Sequence, residues 1–218
     1  MDLVIFDCDG VLVDSERLSI RVESRLLTDL GWPLSEADVV ERFVGRSDSY
    51  MLAEIESHLG RAVPEWQGLY ENALHDAFHA ELTAVDGIAD ALDRITAATC
   101  VASSGTHEKM DLTLGLTGLR GRFEGRIFSA TQVANGKPAP DLFLFAASCM
   151  GVEPDRCIVV EDSPSGVRAA LAAGMRCVAY AGGVVTADRL DGLASVVIDD
   201  MGDLPDALAS VASTPLPG

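Results

Sequence analysis

Phe6-Asp7-Cys8-Asp9-Gly10-Val11-Leu12-Val13-Asp14-Ser15-Glu16 follows a short apolar run, Leu3-Val4-Ile5-Phe6. The run reads as a buried strand. Asp7 and Asp9 then stand where a parallel strand gives way to a loop. Open α/β sheets bind ligands at the carboxyl ends of their strands. Two carboxylates crowded there repel each other, and a hard divalent cation, which prefers oxygen ligands, would compensate. Gly10 permits a sharp turn or a close approach to a ligand. A strand end with a capping Asp is the plainer reading of an isolated Asp-x-Asp.

Working outward, the residues from Ser15 to Thr83 carry apolar positions at helical spacing, with Gly31-Trp32-Pro33, Gly45 and Gly60 as punctuation. They predict about four helices and no strand. Beyond them the pattern changes. Short apolar runs at 100–103, 126–128, 157–160, 176–180 and 195–198 alternate with helical stretches at 87–95, 107–116, 140–150, 164–173 and 204–211. Such alternation predicts an α/β fold with a doubly wound parallel sheet. The expected division is therefore a core of 1–14 and 85–212, a helical insert of 15–84, and a disordered tail of 213–218.

Three further stretches end strands or open helices with polar groups. Ser103-Ser104-Gly105 offers a hydroxyl and backbone amides at a helix start, a ready seat for an anion; an N-cap is the alternative. Gly136-Lys137-Pro138-Ala139-Pro140-Asp141 holds a lysine in a stiff loop between prolines. Glu161-Asp162-Ser163-Pro164 brings two acids to a strand end, where Ser163 and Pro164 can open the next helix. An acidic first helical turn is the alternative there.

The chain has 218 residues, 48% hydrophobic and 23% charged, enough for a substantial core. Its net charge of -18 disfavours nucleic acid and anionic membranes as partners. No apolar run reaches membrane-spanning length and no signal peptide is expected. The five cysteines read as small buried thiols, which suits a reducing cytoplasm. In so acidic a chain an anion site must be locally positive. Only two lysines exist, Lys109 and Lys137, and each must be accounted for. His75 and His79 stand at i and i+4, but a polar helix face is preferred to zinc there, because no third ligand is evident.

The string DCDGVLVDSE resembles the first motif of the haloacid dehalogenase superfamily in its phosphatase and phosphomutase form. Ser103, Lys137 with its prolines, and Glu161-Asp162 match the second, third and fourth motifs, so the resemblance spans most of the chain. It implies a helical cap inserted after the first strand. It also implies Asp7 as nucleophile and Asp9 as general acid and base. Ser103, Ser104 and Lys137 would bind phosphate. Mg²⁺ would be held by Asp7, the Asp9 carbonyl, Asp162 and Glu161, directly or through water. Within the superfamily the chain is similar to sugar-phosphate and 6-phosphogluconate phosphatases and to β-phosphoglucomutase. Asp9 argues against the dehalogenases and phosphonate hydrolases, which lack it. Ser19 stands where mutases carry a His, so hydrolysis of a small phosphorylated metabolite is preferred to a mutase. An inactive phospholigand-binding module is the alternative of another class. Arg46 and Ser47, in the loop around Gly45, are the candidates for substrate recognition. The oligomeric state is left open, with a monomer favoured.

Overall fold

The computed structural model describes residues 1–213 and divides the chain into two compact units, Ser15–Leu82 and the remainder on either side of it. In the larger unit six parallel strands form one sheet in the order β3-β2-β1-β4-β5-β6. They are β1 (Leu3–Phe6), β2 (Ala98–Ser103), β3 (Ile127–Ser129), β4 (Cys157–Glu161), β5 (Arg176–Tyr180) and β6 (Val196–Ile198). β1 is central, in register with β2 through Phe6 and Val101 and with β4 through Phe6 and Val160. All four of its residues are fully buried, which is why the run is apolar without alternation.

The strand order reverses between β1 and β4. From β1 the chain passes to β2 and β3 on one side, then crosses to β4, β5 and β6 on the other. The crevice beyond the carboxyl ends of two such strands is where open α/β sheets bind ligands. Asp7 follows β1 directly, and Asp162 follows β4.

The helices of this unit are α5 (Ile88–Arg94), α6 (His107–Leu116), α7 (Asp141–Met150), α8 (Pro164–Ala172), α9 (Ala187–Leu190) and α10 (Leu204–Ser213). The alternation of strand and helix matches the expected fold class. Several details differ from the sequence reading, among them β3, which runs one residue later than expected. β2 begins two residues earlier than expected, at Ala98. The four-residue helix α9 was not expected. Ser213, assigned to the tail, closes α10, and the rest of that tail, 214–218, lies outside the described residues.

The unit Ser15–Leu82 contains α1 (Ser15–Asp29), α2 (Glu36–Phe43), α3 (Asp48–Leu59) and α4 (Trp66–Glu81). Ser35 and Asp38 form a reciprocal capping box at the start of α2. Leu27, Val39, Ile55 and Val63 are fully buried in this unit. Trp32 stacks on His58 at 4.2 Å and meets Phe43 edge-on at 6.1 Å. Thr83 and Ala84, assigned to the insert from sequence, group with the sheet unit. There Asp14 N–H donates to Thr83 O, and Val85 N–H donates to Leu12 O.

No helix of the described residues is long and apolar enough to cross a membrane. All five cysteines are free; Cys149 is exposed, and the other four are buried as small apolar side chains.

Candidate active site

The turn after β1 is fixed by its own backbone. Asp7 N–H still donates to Val160 O, so the sheet hydrogen bonding runs on to Asp7 itself. Leu12 N–H and Val13 N–H then both donate to Cys8 O, and Gly10 N–H donates to Val13 O. Gly10 has φ of 75°, a left-handed conformation that a side chain would strain. This tight loop holds the side chains of Asp7 and Asp9 at the end of the central strand.

Asp7 is 7% exposed and Glu161 1%. Between them lies the Lys137 ammonium, with Nζ 2.5 Å from Asp7 Oδ1 and 2.7 Å from Glu161 Oε1. The same ammonium sits 4.9 Å from the centre of the Phe143 ring, which supplies a cation–π contact and part of the dry wall. Lys137 belongs to the proline-flanked loop before α7, and the Lys137–Pro138 peptide is cis.

Glu161 is fixed from its other side. Ser163 N–H and Ser163 Oγ each donate to Glu161 Oε2 at 2.9 Å. Ser163 also caps α8 by accepting from Gly166 N–H at 3.0 Å, with Pro164 as first helical residue. One serine thus starts the helix and orients the carboxylate that orients Lys137.

The electrostatics follow from burial. Desolvation, aided by the nearby Glu161 and Asp9 carboxylates, raises the Asp7 carboxyl to about 7 against the opposing pull of Lys137. Burial alone would lower the Lys137 pKa, but the carboxylates of Asp7 and Glu161 overcome it and hold the ammonium well above its usual range. The lysine stays charged and the site remains short of positive charge. Ligand oxygens of Asp7, Glu161 and Asp162 all lie within 4.8 Å of one another, and all three residues are buried. Among the described residues this is the only such group of three or more metal-ligating side chains. Three hard oxygen donors with excess negative charge fit a divalent cation. Three carboxylates against one ammonium leave the cluster net negative, and each unit charge of a phosphate about 4 Å from a carboxylate would add roughly 4 kcal/mol of repulsion at an effective dielectric near 20.

Ser103 is buried at the end of β2, and its Oγ accepts from Gly105 N–H at 3.2 Å. Ser104 beside it is exposed. Ser129, at the end of β3, ties this loop down by donating to Gly105 O at 2.6 Å. The second lysine completes the cluster: Lys109 Nζ lies 2.8 Å from Asp9 Oδ2. The sequence named Lys109 only as a scarce cation and gave it no partner.

The sheet unit therefore gathers Asp7, Asp9, Ser103, Lys137, Glu161 and Asp162 at strand ends and in loops, with Lys109 in the first turn of α6. Arg46 and Ser47 belong to the helical unit. Ser47 caps α3 by accepting from Tyr50 N–H, and the Arg46 guanidinium lies 5.4 Å from the Tyr50 ring centre. The His75 and His79 rings lie 4.5 Å apart and tilted on α4, with no third metal ligand among the described residues. Between α1 and α4, burial pushes the Glu23 carboxyl up to about 7 despite a hydrogen bond from Tyr70.

Residues 1–174 match the haloacid dehalogenase-like hydrolases, and the chain belongs to that family. It is 33% identical over 177 residues to the 6-phosphogluconate phosphatase of Escherichia coli, covering 80% of each chain. It is 30% identical to a phosphorylated carbohydrates phosphatase of Thermotoga maritima over 80% of this chain and 82% of that one. Among solved structures it resembles a conserved haloacid dehalogenase-like protein from Agrobacterium tumefaciens, with a TM-score of 0.89 and 38% identity over 98% of this chain and 100% of the other. The expected class of enzyme, a hydrolase of this superfamily, stands.

Proposed function

We propose that the chain is a Mg²⁺-dependent phosphatase that hydrolyses a small phosphorylated metabolite, a sugar or sugar-acid phosphate, through an aspartyl phosphate on Asp7. The observation that carries this reading is the buried Asp7–Lys137–Glu161 chain at the carboxyl end of the central strand, with Asp9 two residues along. Relatives that share most of the chain's length and act on phosphorylated carbohydrates support the substrate class.

In this reading Asp7 attacks phosphorus in line, and the bond to the leaving oxygen breaks with its electron pair on that oxygen. Asp9 supplies the proton to the leaving oxygen, then accepts one from the water that releases phosphate. Lys137, the Ser103 hydroxyl and the Ser104 amide receive the phosphoryl oxygens. Lys137 does so without moving far, because Glu161, Ser163 and Phe143 already fix it. A divalent cation would be held by Asp7, Asp162 and the Asp9 carbonyl. Glu161, whose two oxygens already accept hydrogen bonds, would reach the ion directly or through water. The ion would neutralise charge between the nucleophile and the phosphate. Arg46 and Ser47 are the candidates for reading the rest of the ester.

A panel of phosphorylated sugars and sugar acids, assayed for phosphate release with Mg²⁺, tests the proposal. Turnover of at least one member by the wild type, and none by Asp7→Asn, is expected. Equal turnover by the two proteins would overturn it.

A further inference from the structure

We propose that Lys109 is a positioning residue for Asp9, fixing the carboxylate so that it can exchange a proton with the leaving oxygen and with water. The proposal rests on the phosphatase reading above. Lys109 Nζ lies 2.8 Å from Asp9 Oδ2, in a pair whose side chains are 37% and 22% exposed. Anchoring Oδ2 limits rotation of the carboxylate, and with it the directions in which the Asp9 carboxylate can meet a reacting oxygen.

Three observations separate this pair from an ordinary surface ion pair. The chain holds 34 acidic residues and only two lysines, and both lysines end on the aspartates of Asp7-Cys8-Asp9. Lys109 also occupies the first turn of α6, where a cation opposes the helix dipole, so helix formation does not favour it there. Its backbone is nevertheless tied down. Thr106 caps α6 by accepting from Lys109 N–H at 3.2 Å, which sets where the side chain departs. The side chain then runs over Gly105, with Lys109 Cδ 3.5 Å, Ser103 Oγ 3.6 Å and Asp9 Oδ2 3.8 Å from where a Cβ on that glycine would stand. A lysine, an aspartate and the phosphate-seat serine therefore surround one glycine. Partly exposed ion pairs add little stability, so the arrangement is better explained by placement of Asp9.

In the transfer step the P–O bond to the leaving group breaks and the electron pair stays on that oxygen. It takes the proton of the Asp9 carboxyl while Asp7 gains the phosphoryl group. In release, water loses a proton to Asp9 as its oxygen bonds to phosphorus, and the Asp7–phosphorus bond electrons return to Asp7. Misplacing Asp9 harms the first step when the leaving oxygen is a poor leaving group and spares it when the oxygen is a good one.

The test is single-turnover phosphoryl transfer at saturating ester. It compares a sugar phosphate from the panel with 4-nitrophenyl phosphate, in wild type, Lys109→Met, Lys109→Arg, Asp9→Asn and the Asp9→Asn/Lys109→Met double variant. Lys109→Met should slow transfer from the sugar phosphate at least tenfold and from the aryl ester less than threefold. Lys109→Arg should recover most of the loss. In the Asp9→Asn background the Lys109 effect should vanish, because a residue acting through another shows no independent effect once its partner is gone. Equal loss on both esters, or a full Lys109 effect in the double variant, would overturn the proposal. Asp9→Asn without leaving-group dependence would instead remove the role of Asp9 in the proposed function, and Lys109's role with it. A Lys109→Met variant that fails to fold is recognised by its circular dichroism, and Lys109→Arg then carries the test: uniform loss in that variant refutes positioning.

Discussion

A Cβ placed on Gly166 would fall 1.7 Å from Glu161 Oε1, so glycine alone leaves room for the carboxylate that holds Lys137. The third residue of α8 is thereby coupled to the position of an ammonium that reaches Asp7. Because the obstacle would be the buried Glu161 side chain, pinned by Ser163 and Lys137, it cannot swing away cheaply.

Gly166→Ala should therefore lower kcat at least tenfold while leaving secondary structure intact. The loss in stability should be about 1–3 kcal/mol, the range for small-to-large changes in a packed interior. Steady-state kinetics and urea unfolding measure the two effects. Wild-type kcat in a folded Gly166→Ala would mean that Glu161 does not set the lysine's position.

The raised Asp7 pKa has a consequence for the metal-free protein. With the folded value near 7 and the ordinary one at 3.8, the folded state holds the extra proton between those limits. Stability should fall as pH rises from about 4 to about 7, since the folded state binds more protons there than the unfolded state. Asp7→Asn removes that slope. In EDTA the variant should be more stable than wild type at pH 8, by on the order of 1–3 kcal/mol, and the gap should close toward pH 4. Urea midpoints at several pH values check this. A wild type that gains stability with pH across the same window would contradict it.

Activity should require Mg²⁺ and disappear in EDTA. Ca²⁺ should bind without supporting turnover, because it takes more ligands at longer distances and would draw Asp7 away from its in-line position. Full activity in EDTA, or equal rates with Ca²⁺, would exclude the buried carboxylates as a Mg²⁺ site.

Arg46 and Ser47 should separate into two roles. Ser47→Ala removes the cap of α3 and should cost about 1 kcal/mol of stability with little change in kcat. Arg46→Ala should raise KM for a sugar-acid phosphate more than for the neutral sugar phosphate, and more for either than for 4-nitrophenyl phosphate. A guanidinium pairs a carboxylate bidentately and binds sugar hydroxyls less strongly. Equal changes for all three esters would place Arg46 outside substrate recognition.

The parts of this site that sequence revealed are those written in local pattern. The apolar run before Asp7 made β1 a buried strand, and the prolines around Lys137 marked a stiff loop. Lys109 was not placed, because its partner lies 100 positions away and its own helix gives no hint of it. Scarcity of lysine was the signal available. The constraint at Gly166 was equally hidden, since it depends on which way the Glu161 side chain turns. Helix α9 spans only four residues, too few for an apolar period to show. Where local pattern and tertiary contact coincide, as at Ser163-Pro164, sequence identified the cap but not the second duty of Ser163 toward Glu161.

The central claim is that Asp7 carries the phosphoryl group. Rapid acid quench of the enzyme turning over a ³²P-labelled ester, followed by peptide mapping, tests it most directly. Acid-stable, hydroxylamine-labile label is expected on the peptide containing Asp7, and none in Asp7→Asn. Label on another residue, or rapid turnover by Asp7→Asn, would contradict it.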